Sequence, residues 1–245
     1  MTIDLNCDMG EGFPNDEQLM QYITSANIAC GYHAGNNEIM KRTVELCVKH
    51  NVVIGAHPGY ADKENFGRLE QFLSPQEYYD LIFVQLTDLK TITDSLSANI
   101  HHVKPHGALY NQAAKDKNIA SSIAKAVKDF DEDLILYGLS GSHLISEALR
   151  INLKTASEVF ADRTYTDDGG LTSRKEKNAL IADEEISIRQ VLQMIKDQTV
   201  TSINNKTVSI TAQTICIHGD NEHAVKFAKR IHQTLKQNNI GIKAC

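Results

Sequence analysis

Seven short apolar runs, at 3–7, 27–30, 52–56, 100–103, 134–137, 156–160 and 215–217, alternate with longer segments of helical period along this 245-residue chain. Strands that alternate with helices pair in parallel, because each helix carries the chain back to the same end of the sheet. The pattern therefore predicts an α/β fold, a closed barrel or a doubly wound sheet of about seven strands. The length suits one barrel-sized domain, 1–245, and an apolar content of 42% is enough to fill its core. No linker, low-complexity tract or short-period repeat divides it.

Helix starts are readable from their caps. Ser74-Pro75-Gln76-Glu77 is a capping box with proline at the first helical position, opening a helix that carries Tyr78, Ile82, Leu86, Leu89 and Leu96. Asn36-Asn37 caps the helix through Ile39, Val44 and Val48, and Ser187 the one through Val191, Leu192 and Ile195. A last helix, from 221 to 238, turns Val225, Ala228, Ile231 and Leu235 inward and leaves His223 and His232 on its solvated side. Two stretches break the rhythm. Residues 161–186 form a long polar segment of the kind that is functional or mobile in compact domains. Residues 199–210 alternate apolar and polar on both sides of Asn204-Asn205, as a small hairpin would.

A formal charge of −6 and a pI near 5.9 offer no attraction to nucleic acid or anionic lipid. No apolar run is long enough to span a bilayer and the start is not signal-like, so a soluble cytoplasmic protein is expected. Five widely spaced cysteines without a CxxC pair argue against a disulfide framework or a zinc knuckle. Cys7, Cys30, Cys47 and Cys216 are expected as small buried hydrophobes.

On the first strand, Ile3, Leu5 and Cys7 share one face while Asp4, Asn6 and Asp8 share the other. Burying two carboxylates and an amide together is costly unless they hold a ligand, a metal or one another. That face is either the solvated side of an edge strand or a binding surface. Parallel β/α folds present reactive groups where strands end. Those positions hold Asp8, then Gly31-Tyr32-His33-Ala34-Gly35, His57-Pro58-Gly59-Tyr60, Lys104-Pro105-His106-Gly107, Glu158 with Asp162-Arg163, and His218-Gly219-Asp220. One such histidine alone is more often a structural residue with backbone partners. Four of them, each with a glycine within two residues, point to a common site.

These residues carry a resemblance. Asp4-Leu5-Asn6-Cys7-Asp8-Met9-Gly10-Glu11, Asn27-Ile28-Ala29-Cys30-Gly31-Tyr32-His33-Ala34-Gly35, Gly55-Ala56-His57-Pro58-Gly59-Tyr60, Val103-Lys104-Pro105-His106-Gly107-Ala108-Leu109-Tyr110-Asn111, Glu158-Val159-Phe160-Ala161-Asp162-Arg163 and Ile217-His218-Gly219-Asp220 are similar, in order, to the signature blocks of the LamB/YcsF family. Members of that family are the A subunit of bacterial ATP-dependent 5-oxoprolinase. The resemblance implies a distorted β/α barrel similar to the polysaccharide deacetylases, and a hydrolase that opens the lactam of 5-oxo-L-proline to L-glutamate with ATP and partner subunits B and C. The chain departs from the family pattern at Asn36-Asn37, where Asp-Pro is usual, and at Leu69, where a second arginine commonly follows Arg68.

An unstrained lactam is a poor electrophile, and this chain has no GxxxxGK[ST] loop to hold ATP. Activation by ATP is therefore expected from a partner subunit, and acid/base chemistry from this chain, with His57 or His106 as the general base and Asp8 orienting the ring or activating water. Asn6, His33, Arg68, Lys104, Glu158, Arg163, His218 and Asp220 are the candidates for holding substrate. A divalent metal on Asp8, His57 and His106 is the rival means of activation. The spacing of His102 and His106 is HxxxH, but on a strand and turn, with Lys104 between them to repel a cation. A stand-alone metal-dependent amidohydrolase or deacetylase acting on a small amide or sugar is the alternative function, and a binding subunit without chemistry a third.

Overall fold

The structure, a computed structural model, describes residues 1–217 and 224–245. The chain first lays down β1 (Thr2–Met9), β2 (Ser25–Ala29), β3 (Val53–His57), β4 (Ile100–Val103), β5 (Ile135–Leu139) and β6 (Lys154–Phe160). A separate hairpin of β7 (Thr199–Thr201) and β8 (Thr207–Ser209) precedes β9 (Thr214–Ile217). Strands β1 to β6 pair in parallel in sequence order, β9 joins β6, and β9 closes on β1 with Asp4 to Cys7 beside Thr214 to Ile217. The result is a closed seven-stranded parallel barrel, and its strands lie within two residues of the seven apolar runs. A short β10 (Gly241–Ile242) lies outside it, alongside the start of β1.

Helices α1 (Asp16–Leu19), α2 (Asn37–His50), α3 (Pro75–Ser95), α4 (Gly107–Lys115), α5 (Lys117–Phe130), α6 (His143–Arg150), α7 (Glu184–Lys196) and α8 (Ala224–Gln237) surround the barrel. Ile3, Leu5, Cys7 and Met9 of β1 belong to the hydrophobic core with the inner faces of these helices, including Ile82, Leu86 and Leu89 of α3 and Ile231 and Leu235 of α8. Among the described residues no helix is long and apolar enough to cross a membrane. All four internal cysteines are buried and unpaired, as expected for small core residues.

The caps at Ser74 and Asn36 form as predicted. Ser74 accepts from the Glu77 amide while Glu77 accepts from the Ser74 amide, and Asn36 accepts from Ile39. Two expectations need correction. Ser187 does not cap α7. Asp183 does, accepting from the amides of Glu185 and Ile186, while Ser187 lies one turn inside and donates to the carbonyl of Ala161. His232 is not fully solvated, because α8 turns it edge-on against the ring of Tyr22 at 5.8 Å. His223 lies outside the described residues.

Candidate active site

The barrel is polar inside. Period-two alternation sends Asp4, Asn6 and Asp8 inward, and closure by β2 and β9 on either side makes their face an interior rather than a solvated edge. At the bottom, Asp4 accepts from Thr24 and Ser25 through one oxygen and from Tyr137 and Thr214 through the other, at 2.6–3.0 Å. This carboxylate ties β1 to β5 and β9 and to the start of β2.

The middle layer is a closed network. Asn6 donates to Glu158 and Thr214, and accepts from Asn27 at 2.7 Å. His102, stacked on Tyr137 at 4.1 Å, donates through Nε2 to the Asn27 carbonyl oxygen. The Lys104 ammonium donates to Asp8 Oδ1 at 2.9 Å, to Asn6 Oδ1 at 3.2 Å and to Cys216 Sγ at 3.1 Å, and it pairs with Glu158 Oε1 at 2.9 Å. Tyr110, from α4, donates to the second Glu158 oxygen at 2.7 Å. Burial alone would drive the Lys104 ammonium toward neutrality, but the Asp8 and Glu158 carboxylates around it hold its pKa well above the ordinary lysine value. Burial likewise pushes the Cys216 thiol up, so it is a proton-bearing neighbour and not a nucleophile.

At the C-terminal end of the strands, Glu11, His33, His57 and His106 converge, each offering one ligand-type atom, all within 4.8 Å of one another. His57 comes from the end of β3, His106 from the residue that precedes α4, and His33 from the loop after β2. Glu11 reaches them from the turn after β1, which Asp16 fixes by accepting from the Gly10 amide at 2.9 Å. His33 stacks on His106 with ring centres 3.7 Å apart and planes within 4°. Gly59 and Gly67 wall this stack. A Cβ at Gly59 would stand 2.7 Å from His33 Nδ1, and one at Gly67, where φ is +62°, would stand 2.8 Å from His33 Cβ. Burial and the neighbouring His57 push the His33 imidazole down to about 2, and the same two causes push His106 down strongly, so both rings are neutral bases at physiological pH. Asp8 stands beside the group, its Oδ2 3.4 Å from His57 Nε2.

Of the residues singled out in the sequence, Asp8, His33, His57 and His106 are thus brought together, with Asn6, Lys104 and Glu158 directly beneath. The set that could hold a metal differs from the one expected. It takes in Glu11 and His33, while Asp8 is engaged by Lys104 and Asn27. His102 points down the barrel, so the HxxxH spacing does not make a chelate. Arg68 is exposed, its guanidinium 4.9 Å from the Phe66 ring centre and next to Gly67. Arg163 turns away from the cluster: its guanidinium donates to the carbonyls of Ala179 and Thr172 and holds the 161–186 segment in place. His218 and Asp220 lie outside the described residues. Glu11, Asn27 and Tyr110 were not anticipated, although each lies in a quoted block. The available signals were the glycines around Glu11 and the helix start that turns Tyr110 inward.

A bare imidazole nitrogen and a carboxylate oxygen side by side, with the Lys104 ammonium beneath, suit proton abstraction from water and binding of an electrophilic carbonyl. A surface cavity of about 610 Å³ bordered by Gly12, Phe13, Arg42 and His50 involves none of the cluster residues.

The LamB/YcsF family model matches residues 3–245. The A subunit of 5-oxoprolinase from Geobacillus kaustophilus is 52% identical over 247 residues, covering 99% of this chain and 96% of that relative. The protein of the same name from Staphylococcus aureus strain MRSA252 is 51% identical, and both chains are covered fully. The crystal structure of the lactam utilization protein from Thermus thermophilus is 36% identical and superposes with a TM-score of 0.94 over 100% of both chains. A family 4 carbohydrate esterase from Streptomyces lividans, 12% identical, matches 98% of this chain and 91% of its own with a TM-score of 0.53, a likeness of fold alone. With the family model running from the first strand to the last residue and relatives this similar over their full length, the chain belongs to the LamB/YcsF family.

Proposed function

We propose that this chain is the A subunit of an ATP-dependent 5-oxoprolinase, a cytoplasmic hydrolase that opens 5-oxo-L-proline to L-glutamate together with partner subunits B and C. The observation that carries this reading is the identity of 51–52% to proteins named as the A subunit of 5-oxoprolinase, over essentially the whole of both chains. The site chemistry agrees with it. A partner transfers a phosphoryl group from ATP to the lactam oxygen, which makes the ring carbon electrophilic. On this chain, Asp8, whose Oδ2 lies 3.4 Å from His57 Nε2, takes a proton from water as the water adds to that carbon. The same carboxyl group returns a proton to the ring nitrogen as the C–N bond breaks, with His57 and His106 ordering the site around it. The acyl phosphate that remains is hydrolysed by a second water to glutamate and phosphate. Arg68, at the rim, takes the substrate carboxylate. Asn6, Lys104 and Glu158 are sealed beneath and act through Asp8, whose carboxylate the Lys104 ammonium holds in place.

Reconstitution tests it. The purified chain, combined with its B and C partners, is expected to give ATP-dependent glutamate from 5-oxoproline, and Asp8→Asn or His57→Ala to lower that rate by ~10²-fold or more, the scale of a lost acid/base group. Full activity in both variants would overturn the assignment of roles. ATP hydrolysis by the isolated chain in step with glutamate release would overturn the division of labour. Turnover of simple amides without ATP would favour a stand-alone amidohydrolase.

A further inference from the structure

Two histidines at the barrel mouth have their tautomers set by backbone carbonyls. His57 Nδ1 lies 2.7 Å from the Lys104 carbonyl oxygen and His106 Nε2 lies 2.8 Å from that of Phe66. A carbonyl only accepts, so each of these nitrogens carries the hydrogen and, in a neutral ring, the other nitrogen is bare. The two bare atoms, His57 Nε2 and His106 Nδ1, face each other at 2.9 Å. Lone pairs repel at that distance unless something positive lies between or beside them. Glu11 Oε1 adds negative charge at the same point, 3.4 Å from His106 Nδ1, 4.0 Å from His57 Nε2 and 3.5 Å from His33 Nε2. His33 supplies an independent observation. It is 1% exposed, and neither of its ring nitrogens has a hydrogen-bond partner among the described residues. A buried imidazole unmet on both sides is costly and calls for a ligand.

We propose that Glu11 Oε1, His33 Nε2, His57 Nε2 and His106 Nδ1 bind one divalent transition-metal ion of the zinc class. Ligands about 2.0–2.1 Å from a tetrahedral centre stand about 3.3 Å apart. Separations of 2.9, 3.4, 3.5 and 4.0 Å bracket that value and none exceeds 4.8 Å, so the shell is completed when His33 turns out of its parallel stack on His106 and both lone pairs reach one ion. Three imidazoles and one carboxylate select zinc, iron, cobalt or manganese over magnesium and calcium, which take oxygen. The Lys104 and Phe66 carbonyls are the outer hydrogen-bond partners that metal-bound histidines generally have. Lys104 does not oppose the cation from between two ligands. Its ammonium is turned down to Asp8 and Glu158, whose charges it meets. A proton shared by His57 and His106 would explain the 2.9 Å contact, but it would leave His33 unmet.

The site lies where the lactam chemistry is proposed but does not rest on that reading, and its test does not use activity. Tag-free full-length protein is stripped with chelator and titrated with Co²⁺, and visible ligand-field absorption and calorimetry are followed. One equivalent is expected, with the intense bands of a four- or five-coordinate ion, displaced by Zn²⁺. X-ray absorption of the zinc-loaded wild type is expected to reveal three imidazoles and no sulfur. Glu11→Gln and His33→Gln are expected to weaken Co²⁺ binding by more than the ~10–100-fold that follows from loss of an outer-shell partner. Absence of a saturable Co²⁺ spectrum in the wild type, fewer than two imidazoles in the absorption shell, or undiminished affinity in both folded variants would each overturn the proposal. A histidine nitrogen NMR spectrum with a proton shared between His57 and His106, unchanged by added Zn²⁺, would do the same.

Discussion

Lys104→Met removes the cation that, among the described residues, stands between Asp8 and Glu158 inside the barrel, and keeps the length of the side chain. The ammonium donates to Asp8 Oδ1 at 2.9 Å and pairs with Glu158 Oε1 at 2.9 Å, and Glu158 is fully buried. Hydrogen bonds to charged groups are worth ~1.5–3 kcal/mol each. Removing one partner of a buried pair costs ~3–5 kcal/mol because the other charge is left behind. The remaining donors decide where in that range the cost falls. Glu158 keeps Asn6 and Tyr110, and Asp8 keeps Asn27, so neither carboxylate is stripped bare. The expected loss is therefore ~3 kcal/mol, a large share of the ~5–15 kcal/mol that stabilises a typical domain. The chain has no tryptophan, so urea unfolding is followed by far-UV circular dichroism, with chelator present so that no bound ion contributes. Adding Glu158→Gln removes one of the two uncompensated charges, and the double variant is expected to recover ~1–2 kcal/mol relative to the sum of the singles, a coupling typical of contacting groups. A loss under ~1 kcal/mol for Lys104→Met, or strict additivity with Glu158→Gln, would refute the view of a mutually compensating buried network.

Three further outcomes can be checked by thermal or urea unfolding. Gly55→Ala places a Cβ 2.0 Å from His102 Nε2, with the ring held against Tyr137, so overpacking is expected to cost ~1–3 kcal/mol or more. Tyr110→Phe leaves one Glu158 oxygen without its buried donor and is expected to cost ~1–3 kcal/mol while far-UV spectra stay unchanged. Asp183→Ala removes the acceptor for two amides at the start of α7 and is expected to cost ~1 kcal/mol, and a larger loss from Ser187→Ala than from Asp183→Ala would contradict this cap assignment.

The seven strands were legible because each apolar run marks the outward face that packs under helices, and that face reads the same in any parallel β/α arrangement. The inward face was not. Period two says that Asp4, Asn6 and Asp8 lie together, but only the pairing of β9 with β1 makes their side the interior of a barrel. Local chemistry was legible where a single turn decides it, as at Ser74 and Asn36, and ambiguous where two cap-type residues compete within one turn, as at Asp183 and Ser187. Glu11 escaped notice because it lies beyond the strand, where no periodicity operates, and only the reversal at Gly10 aims it at the histidines. Arg163 looked like an anion clamp, yet its partners are backbone carbonyls of residues 172 and 179, atoms that no residue pattern displays.

The distribution of unmet hydrogen-bonding capacity along the barrel axis separates structure from function. Asp4 at the bottom has four hydroxyl donors, and the Asn6, Asn27, Lys104 and Glu158 layer is internally paired, so these polar groups stabilise strand register by joining β1 to β2, β4, β6 and β9. The deficit begins one layer higher, at His33, with the inward nitrogens of His57 and His106 fixed bare beside it. A fold that satisfies its buried polar groups so completely at one end would gain nothing from three crowded imidazoles at the other unless a ligand supplies what they lack. The charged floor then has a second role besides register. By holding Lys104 on Asp8 and Glu158, it fixes the Asp8 carboxylate at the top of the layer, 3.4 Å from His57 Nε2.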